Sequence, residues 1–313
     1  MYEYVFNYSY VDKSMRNLNI KSVMVIMLLA FKNMALAHDD HENELGSKPR
    51  HSIAEERVRL EREVQDNPFV LTPHKMNYIL PYTKTSQINR GAYESNPSWQ
   101  EGFDDSEAKI QLSLKVPLNY DDLFIQDDGL YFGFTAQSWW QIYSDDISAP
   151  FRETNYQPEL FYLAPTDYNH WGYNFGWGVG IEHQSNGRSE PLSRSWNRAY
   201  LVGLWEKEDV ALAVRPWVRL SEDYENDDNP DIEDYMGNFE ATAAYKFDDI
   251  KIFGLVRNNF STHKGFIELG VTFPIWKRLR GYVQYTDGYG ESLIDYNHSQ
   301  RRFGIGLALT DPI

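Results

Sequence analysis

Residues 175–185 read Phe-Gly-Trp-Gly-Val-Gly-Ile-Glu-His-Gln-Ser. Phe175, Trp177, Val179 and Ile181 alternate with Gly176, Gly178, Gly180 and Glu182. A period of two is that of an extended strand with one apolar and one small or polar face. The next two positions on the apolar face are His183 and Ser185. An imidazole and a hydroxyl therefore end a row of lipophilic side chains, on the same side as those side chains.

The same alternation recurs along the chain. Ile110, Leu112, Leu114 and Val116 alternate with Gln111, Ser113 and Lys115, and Gly265, Ile267, Leu269, Val271 and Phe273 with Phe266, Glu268, Gly270 and Thr272. Twelve strands are predicted, at 76–84, 107–117, 130–143, 152–165, 171–185, 196–206, 209–220, 235–247, 249–258, 265–274, 278–287 and 301–310. Pro81 interrupts the first, since proline cannot donate to a ladder. No helical repeat is visible beyond Met76. Short connections (206–209, 248–249, 274–277) alternate with long polar ones (85–106, 144–151, 221–234, 288–300).

An even strand number, alternating faces, tyrosine and tryptophan at strand ends, and short turns alternating with long loops are the pattern of an outer-membrane protein. The fold class expected is all-β: a twelve-stranded antiparallel transmembrane β-barrel with short periplasmic turns and longer extracellular loops. A soluble β-sandwich would alternate too, but it would not combine that pattern with interfacial aromatics and an export signal.

Composition narrows the function. A net charge of −16 argues against a nucleic-acid partner, because a duplex needs a basic footprint. With no cysteine, disulfides and thiolate metal sites are excluded. The apolar run from Val23 to Phe31, preceded by Arg16 and Lys21 and followed by Ala35-Leu36-Ala37, reads as a signal peptide and is too short to span a bilayer. Residues 1–37 are thus expected to be removed, with Met15 as a plausible true start. Residues 38–75 form a polar N-terminal periplasmic segment, and 76–313 the barrel, with its site on the outer face. The remaining histidines, His74, His263 and His298 among them, have no partner at metal spacing and are read as surface residues.

With both termini periplasmic, the fifth strand runs upward. His183 and Ser185 then sit at its outer end, and the loop 186–195 is extracellular. If that loop is a hairpin, Asn197 lies across the ladder from His183, in phase with Ala199, Leu201 and Trp205. All three polar residues face lipid near the outer leaflet. Polar groups there are costly and call for a function. A serine made nucleophilic by a histidine that an amide orients is the constellation of acyl transfer, and lipid is the substrate at hand.

The run Glu182-His-Gln-Ser-Asn-Gly-Arg-Ser-Glu-Pro-Leu-Ser-Arg-Ser-Trp-Asn-Arg198 resembles the signature of the outer membrane phospholipase A family, twelve-stranded barrel esterases. Pro150–Tyr156, Asp227–Ile232, Gly288–Tyr296 and the Asn67-Pro-Phe69 and Asn77-Tyr78 pieces extend the likeness over about 67–310. The resemblance implies Ser185 as nucleophile, His183 as base, Asn197 as orienter and the Gly187 N–H as oxyanion donor. It implies hydrolysis of sn-1 and sn-2 acyl esters of phospholipids and lysophospholipids in the outer membrane of a Gram-negative bacterium, at the extracellular leaflet. It also implies Ca2+ dependence, with one ion held through the Arg188 carbonyl and the Ser193 hydroxyl and a further calcium position that involves Asp228. The Ser148 carbonyl would come from the partner in a homodimer with a shared calcium site and substrate cleft. Where the family carries a polar interface glutamine this chain has Ala136, and Gln137 points to the other face. The competing expectation is a non-enzymatic outer-membrane barrel, either a narrow pore or a degenerate homologue.

Overall fold

Alternate side chains of each strand go to opposite sides of one closed sheet, and it is the polar set that goes inward. Thr83, Glu107, Lys109, Ser113, Glu159, Glu182, Arg198 and Arg302 are buried, while Ile79, Leu112, Phe132, Val179, Ile181, Leu201, Val218 and Ile305 are exposed. This inversion is what a lipid-facing outer wall around a polar lumen requires. The computed structural model describes residues 71–170, 172–223 and 227–310, with the backbone alone at 167–170. The expected signal peptide and residues 38–70 lie outside the described residues.

The twelve strands are β1 (Tyr78–Thr85), β2 (Ser106–Pro117), β3 (Gly129–Trp140), β4 (Phe151–His170), β5 (Tyr173–Ser185), β6 (Ser195–Lys207), β7 (Val210–Leu220), β8 (Phe239–Phe247), β9 (Ile250–Asn259), β10 (Lys264–Trp276), β11 (Leu279–Tyr289) and β12 (Ser299–Ala308). Each pairs antiparallel with its neighbours in sequence, and β1 pairs with β12 to close the barrel. Both ladders of β1 shift register around Pro81, so the proline sits in a bulge where its missing N–H breaks no regular pairing.

The connections sort by end. One end gathers 86–105, 141–150, 186–194, 221–238, 260–263 and 290–298; the other holds mostly tight turns. We call these the loop end and the turn end. Two short helices lie at the loop end, α1 (Pro97–Gly102) and α2 (Ile232–Met236). The second corrects the expected strand 235–247. Ile232 and Met236 are buried in a loop-end core with Trp196, Trp217, Leu293 and Tyr296. The chain turns through Gly237, with φ of 71°, before β8 begins.

Just before β1, Thr72 and Pro73 bridge Lys115 and Leu114 of β2. His74 and Lys75 reach into the lumen to Glu159, at 2.8 and 3.3 Å. His74 is therefore no surface histidine: an inward-facing glutamate holds it and Phe161 stacks on it at 4.8 Å. Residues 72–75 thus contact the barrel directly.

Candidate active site

The three glycines of the opening stretch face the lumen, and packing explains Gly178 and Gly180. A Cβ at Gly180 would lie 2.5 Å from the Tyr200 ring and one at Gly178 2.5 Å from Leu163. Larger neighbours fill the space that β5 leaves, and Tyr200 Oη donates to Glu159 at 2.7 Å. With that register set, the odd positions of β5 face outward. Trp177, Val179 and Ile181 are exposed on the wall, and His183 and Ser185 are half-buried above them at the loop end.

β5 and β6 pair without a register break, so His183 lies directly opposite Asn197 and Ser185 opposite Ser195. His183 Nδ1 and Asn197 Oδ1 are 2.9 Å apart. Asn197 Nδ2 donates to Glu222 Oε1 at 2.8 Å. Among the described residues no hydrogen bond reaches Ser185 Oγ; such contacts commonly tighten only when substrate is bound. On the other side Ser185 pairs with Tyr156 of β4, whose ring is 40 % exposed on the same wall.

The loop 186–194 is built around Asn186. Its N–H donates to the Arg194 carbonyl at 3.0 Å and its Nδ2 to the Leu192 carbonyl at 2.8 Å, while its Oδ1 accepts from the N–H groups of Arg188 and Arg194. Gly187 follows with φ of 63°, a left-handed conformation in which a side chain is strained. Its N–H finds no acceptor among the described residues. The Arg188 guanidinium ties the loop to the start of β4. Its Nη2 donates to the Phe151 and Arg152 carbonyls at 3.1 and 2.6 Å, and its Nε lies 3.4 Å from the buried Glu153. Trp99 of α1 lies against its face.

Ser193 Oγ donates to Asp228 Oδ2 at 2.6 Å, joining this loop to 221–238. The same junction is held by the Ser195 N–H on Asn229 Oδ1 and by Arg219 on Asp227. Ser148 stands apart. It is exposed on the 141–150 loop with φ of 61°, and has no side-chain hydrogen bond among the described residues. Its loop is fixed by the Trp140 Nε1–H on the Ala149 carbonyl and by Trp140 stacked on Phe151. The structure thus brings together His183 with Asn197, and Ser193 with Asp228. Ser148 lies on a separate loop. Among the described residues no cluster of three or more histidines and carboxylates could hold a metal. The expected ligands are instead hydroxyl, carbonyl and carboxylate oxygens, a set that suits a hard cation such as Ca2+.

Ala136 faces outward on β3, paired with Leu112 and Tyr156. Gln137 turns into the lumen, donating to Tyr78 Oη at 2.8 Å and Gln111 Oε1 at 3.0 Å. Two functional-site residues escape a reading of the sequence. Asn186 at least carries a signal, the Asn-Gly turn pair. Glu222 carries none, because an acid in an acid-rich loop reads as solvated.

Fold and site define a class: an integral β-barrel of the outer membrane that carries a His-Ser-Asn cluster on its lipid-facing wall. The family model for phospholipase A1 matches residues 54–309. Phospholipase A1 of Klebsiella pneumoniae is 43 % identical over 247 residues, covering 79 % of this chain and 84 % of the relative. The Escherichia coli K12 enzyme of that name is 42 % identical, covering 79 % and 83 %. An active-site asparagine-to-alanine variant of E. coli outer membrane phospholipase A superposes with a TM-score of 0.77 at 40 % identity, covering 82 % of this chain and 98 % of that one. A Salmonella typhi outer membrane phospholipase dimer with bound calcium gives the same TM-score at 38 % identity and the same coverage. The chain belongs to the phospholipase A1 family.

Proposed function

We propose that this protein hydrolyses sn-1 and sn-2 acyl esters of phospholipids and lysophospholipids from the lipid-facing wall of its barrel, at the extracellular leaflet. The observation that carries this reading is the 2.9 Å contact between His183 Nδ1 and Asn197 Oδ1 on the outward face, two positions along the strand from Ser185. Ile181, Val179 and Trp177 continue below it as an apolar track suited to an acyl chain.

In the proposed chemistry Ser185 Oγ attacks the ester carbonyl carbon as its proton passes to His183 Nε2. Asn197 Oδ1 accepts the Nδ1–H and holds the imidazole in the tautomer that leaves Nε2 basic. The Gly187 N–H, without an acceptor among the described residues and held left-handed two residues after the serine, donates to the oxyanion. His183 returns the proton to the leaving alkoxide of the lipid backbone. Water, deprotonated by the same imidazole, then cleaves the acyl-enzyme and releases the fatty acid.

The Arg188 carbonyl and the Ser193 hydroxyl would hold one calcium, with the Ser148 carbonyl supplied by a second copy in a homodimer that shares the ion and the substrate cleft, and Asp228 would take part in a further calcium position. The calcium-bound dimer of the S. typhi relative supports this arrangement. Bound there, the ion supplies positive charge near the oxyanion, where the neutral Asn197 leaves the charged intermediates less stabilised than an aspartate would. An active-site asparagine in the E. coli relative is in keeping with the role given to Asn197.

The test is hydrolysis of a defined phosphatidylcholine in mixed micelles, with calcium and with a chelator, by wild type and Ser185→Ala. Wild type turns over only with calcium. Ser185→Ala loses turnover by about a millionfold, on the scale seen when a serine nucleophile is removed, and keeps the heat-shifted gel mobility of a folded barrel. Retained hydrolysis in Ser185→Ala ends the mechanism.

A further inference from the structure

Asn197 is held from two sides. Oδ1 faces His183 Nδ1 at 2.9 Å, and Nδ2 faces Glu222 Oε1 at 2.8 Å. An ionised carboxylate has only acceptors. The amide therefore has one satisfactory orientation, with its N–H toward Glu222 and its oxygen toward the imidazole. Because Oδ1 carries no hydrogen, the proton between the two residues belongs to His183 Nδ1, and Nε2 is left as the base. Without Glu222 the amide could turn over, present Nδ2 to the ring and favour the opposite tautomer. Glu222 reaches this position because β7 ends opposite the site: Leu220 pairs with Asn197, and Glu222 lies two residues beyond it.

We infer that Glu222 is a positioning residue for the reaction: it locks the Asn197 amide and, through the shared N–H, polarises Oδ1 against the imidazolium that forms during catalysis. This rests on the triad proposed above. It also gives a reason for asparagine at position 197. An aspartate there would meet the Glu222 carboxylate at hydrogen-bond distance, and two carboxylates so close cannot both ionise. The negative charge of this site stands one residue further back, reached through an amide.

The experiment compares four variants on phosphatidylcholine micelles, each first checked for folded-barrel gel mobility. Glu222→Ala is expected to lower kcat about tenfold, the scale of a lost hydrogen bond to a charged group, with KM little changed. Glu222→Gln keeps an acceptor oxygen and is expected to fall between wild type and Glu222→Ala. Asn197→Asp is expected to be poor beside Glu222. Asn197→Asp combined with Glu222→Gln is expected to be faster than Asn197→Asp alone, because the glutamine amide donates to the new carboxylate. A purely structural role for Glu222 in its loop gives no such rescue. Glu222→Ala within about twofold of wild type overturns the inference, and so does a double variant no faster than Asn197→Asp. Ser185→Ala, run alongside, separates the two failures: its retained activity sinks the triad, whereas its inactivity beside an unimpaired Glu222→Ala sinks this inference alone.

Discussion

At Gly187 the backbone stands at φ of 63°, two residues past Ser185, with an N–H that meets no acceptor among the described residues, and an added Cβ would lie 3.3 Å from Tyr156 Cε2. An alanine there is strained by about 1–2 kcal/mol and pressed toward the tyrosine ring. Both effects displace the N–H proposed for the oxyanion. Gly187→Ala is expected to lower kcat by about ten- to a hundredfold, somewhat less than outright loss of an oxyanion donor, with KM nearly unchanged. Steady-state kinetics on micellar phospholipid measure this, and an unaltered kcat would remove Gly187 from the site. The residues legible from sequence are those on regular strands. His183 and Ser185 share a face because the strand period is two, and Asn197 opposes His183 because the β5–β6 ladder has no bulge. Glu222 was not legible, since its contact depends on where an irregular loop folds back. The side chain of Arg188 was not legible either: its partners are backbone carbonyls and Glu153 on another strand.

At the scale of elements, the strands follow the alternation closely and the connections depart from it. The expected strand starting at 235 gives way over its first four residues to a helical turn and Gly237, because burying Ile232 and Met236 in the loop-end core outweighs the period-two pattern there. The connection 118–128, from β2 to β3, is longer than the other turns at its end. Asp128 closes it: one carboxylate oxygen accepts from the Leu123 N–H at 2.7 Å, the other from Phe124, Ile125 and the Tyr162 hydroxyl at 2.8, 3.0 and 2.6 Å. The closed turn presents Leu118, Tyr120, Leu123, Phe124 and Ile125 outward. Leu123, Phe124 and Ile125, with Leu130, Tyr162, Trp177 and Val179, line an apolar groove of about 700 Å³ on the lipid-facing wall. Loss of hydration pushes the Asp128 carboxyl up, but the Tyr162 hydroxyl and the three backbone N–H groups outweigh it and hold it well below the usual carboxylate range. A depressed value means the staple is complete above about pH 4, where an unfolded aspartate is ionised, and is lost as pH falls through the folded value. Asp128→Asn is therefore expected to speed amide exchange at Leu123, Phe124 and Ile125 at neutral pH, leaving strand amides protected. Wild type should show the same loosening only in strong acid. Hydrogen exchange read by mass spectrometry distinguishes the two, and equal exchange at neutral pH would dismiss the staple.

Over the whole molecule, closure of the sheet brings inward-facing charges of β2, β4 and β12 and of the 290–298 loop into one network. Its polarity was legible as the polar face of each strand; its pairings were not, because they join residues far apart in sequence. Arg152 on β4 bonds Glu107 on β2 through Nε and Nη2, both at 3.0 Å, and Asp295 on the 290–298 loop through Nη1 at 3.0 Å. Arg302 on β12 joins Glu107 to Glu291, and Glu291 reaches Lys109 at 3.0 Å. Glu107, Glu291 and Asp295 thus balance Arg152, Arg302 and Lys109, and all six side chains are at most 1 % exposed where measured in these pairs. These six charges are buried and paired with one another inside the barrel. They also tie the 290–298 loop to β2, β4 and β12. Arg152→Met leaves Glu107 short of one partner and Asp295 without its cation, and breaking one side of a buried pair costs about 3–5 kcal/mol. Arg152→Met with Asp295→Leu restores the charge balance and replaces the broken pair with apolar contact, so most of that loss should return. Urea unfolding of the barrel in lipid vesicles, followed by tryptophan fluorescence, measures both variants. Because neither residue touches Ser185, His183 or Asn197, the double variant should keep most of its esterase activity. If the single variant is as stable as wild type, the network does not hold the loop end in place; if the double variant is no more stable than the single, charge balance is not what the network supplies.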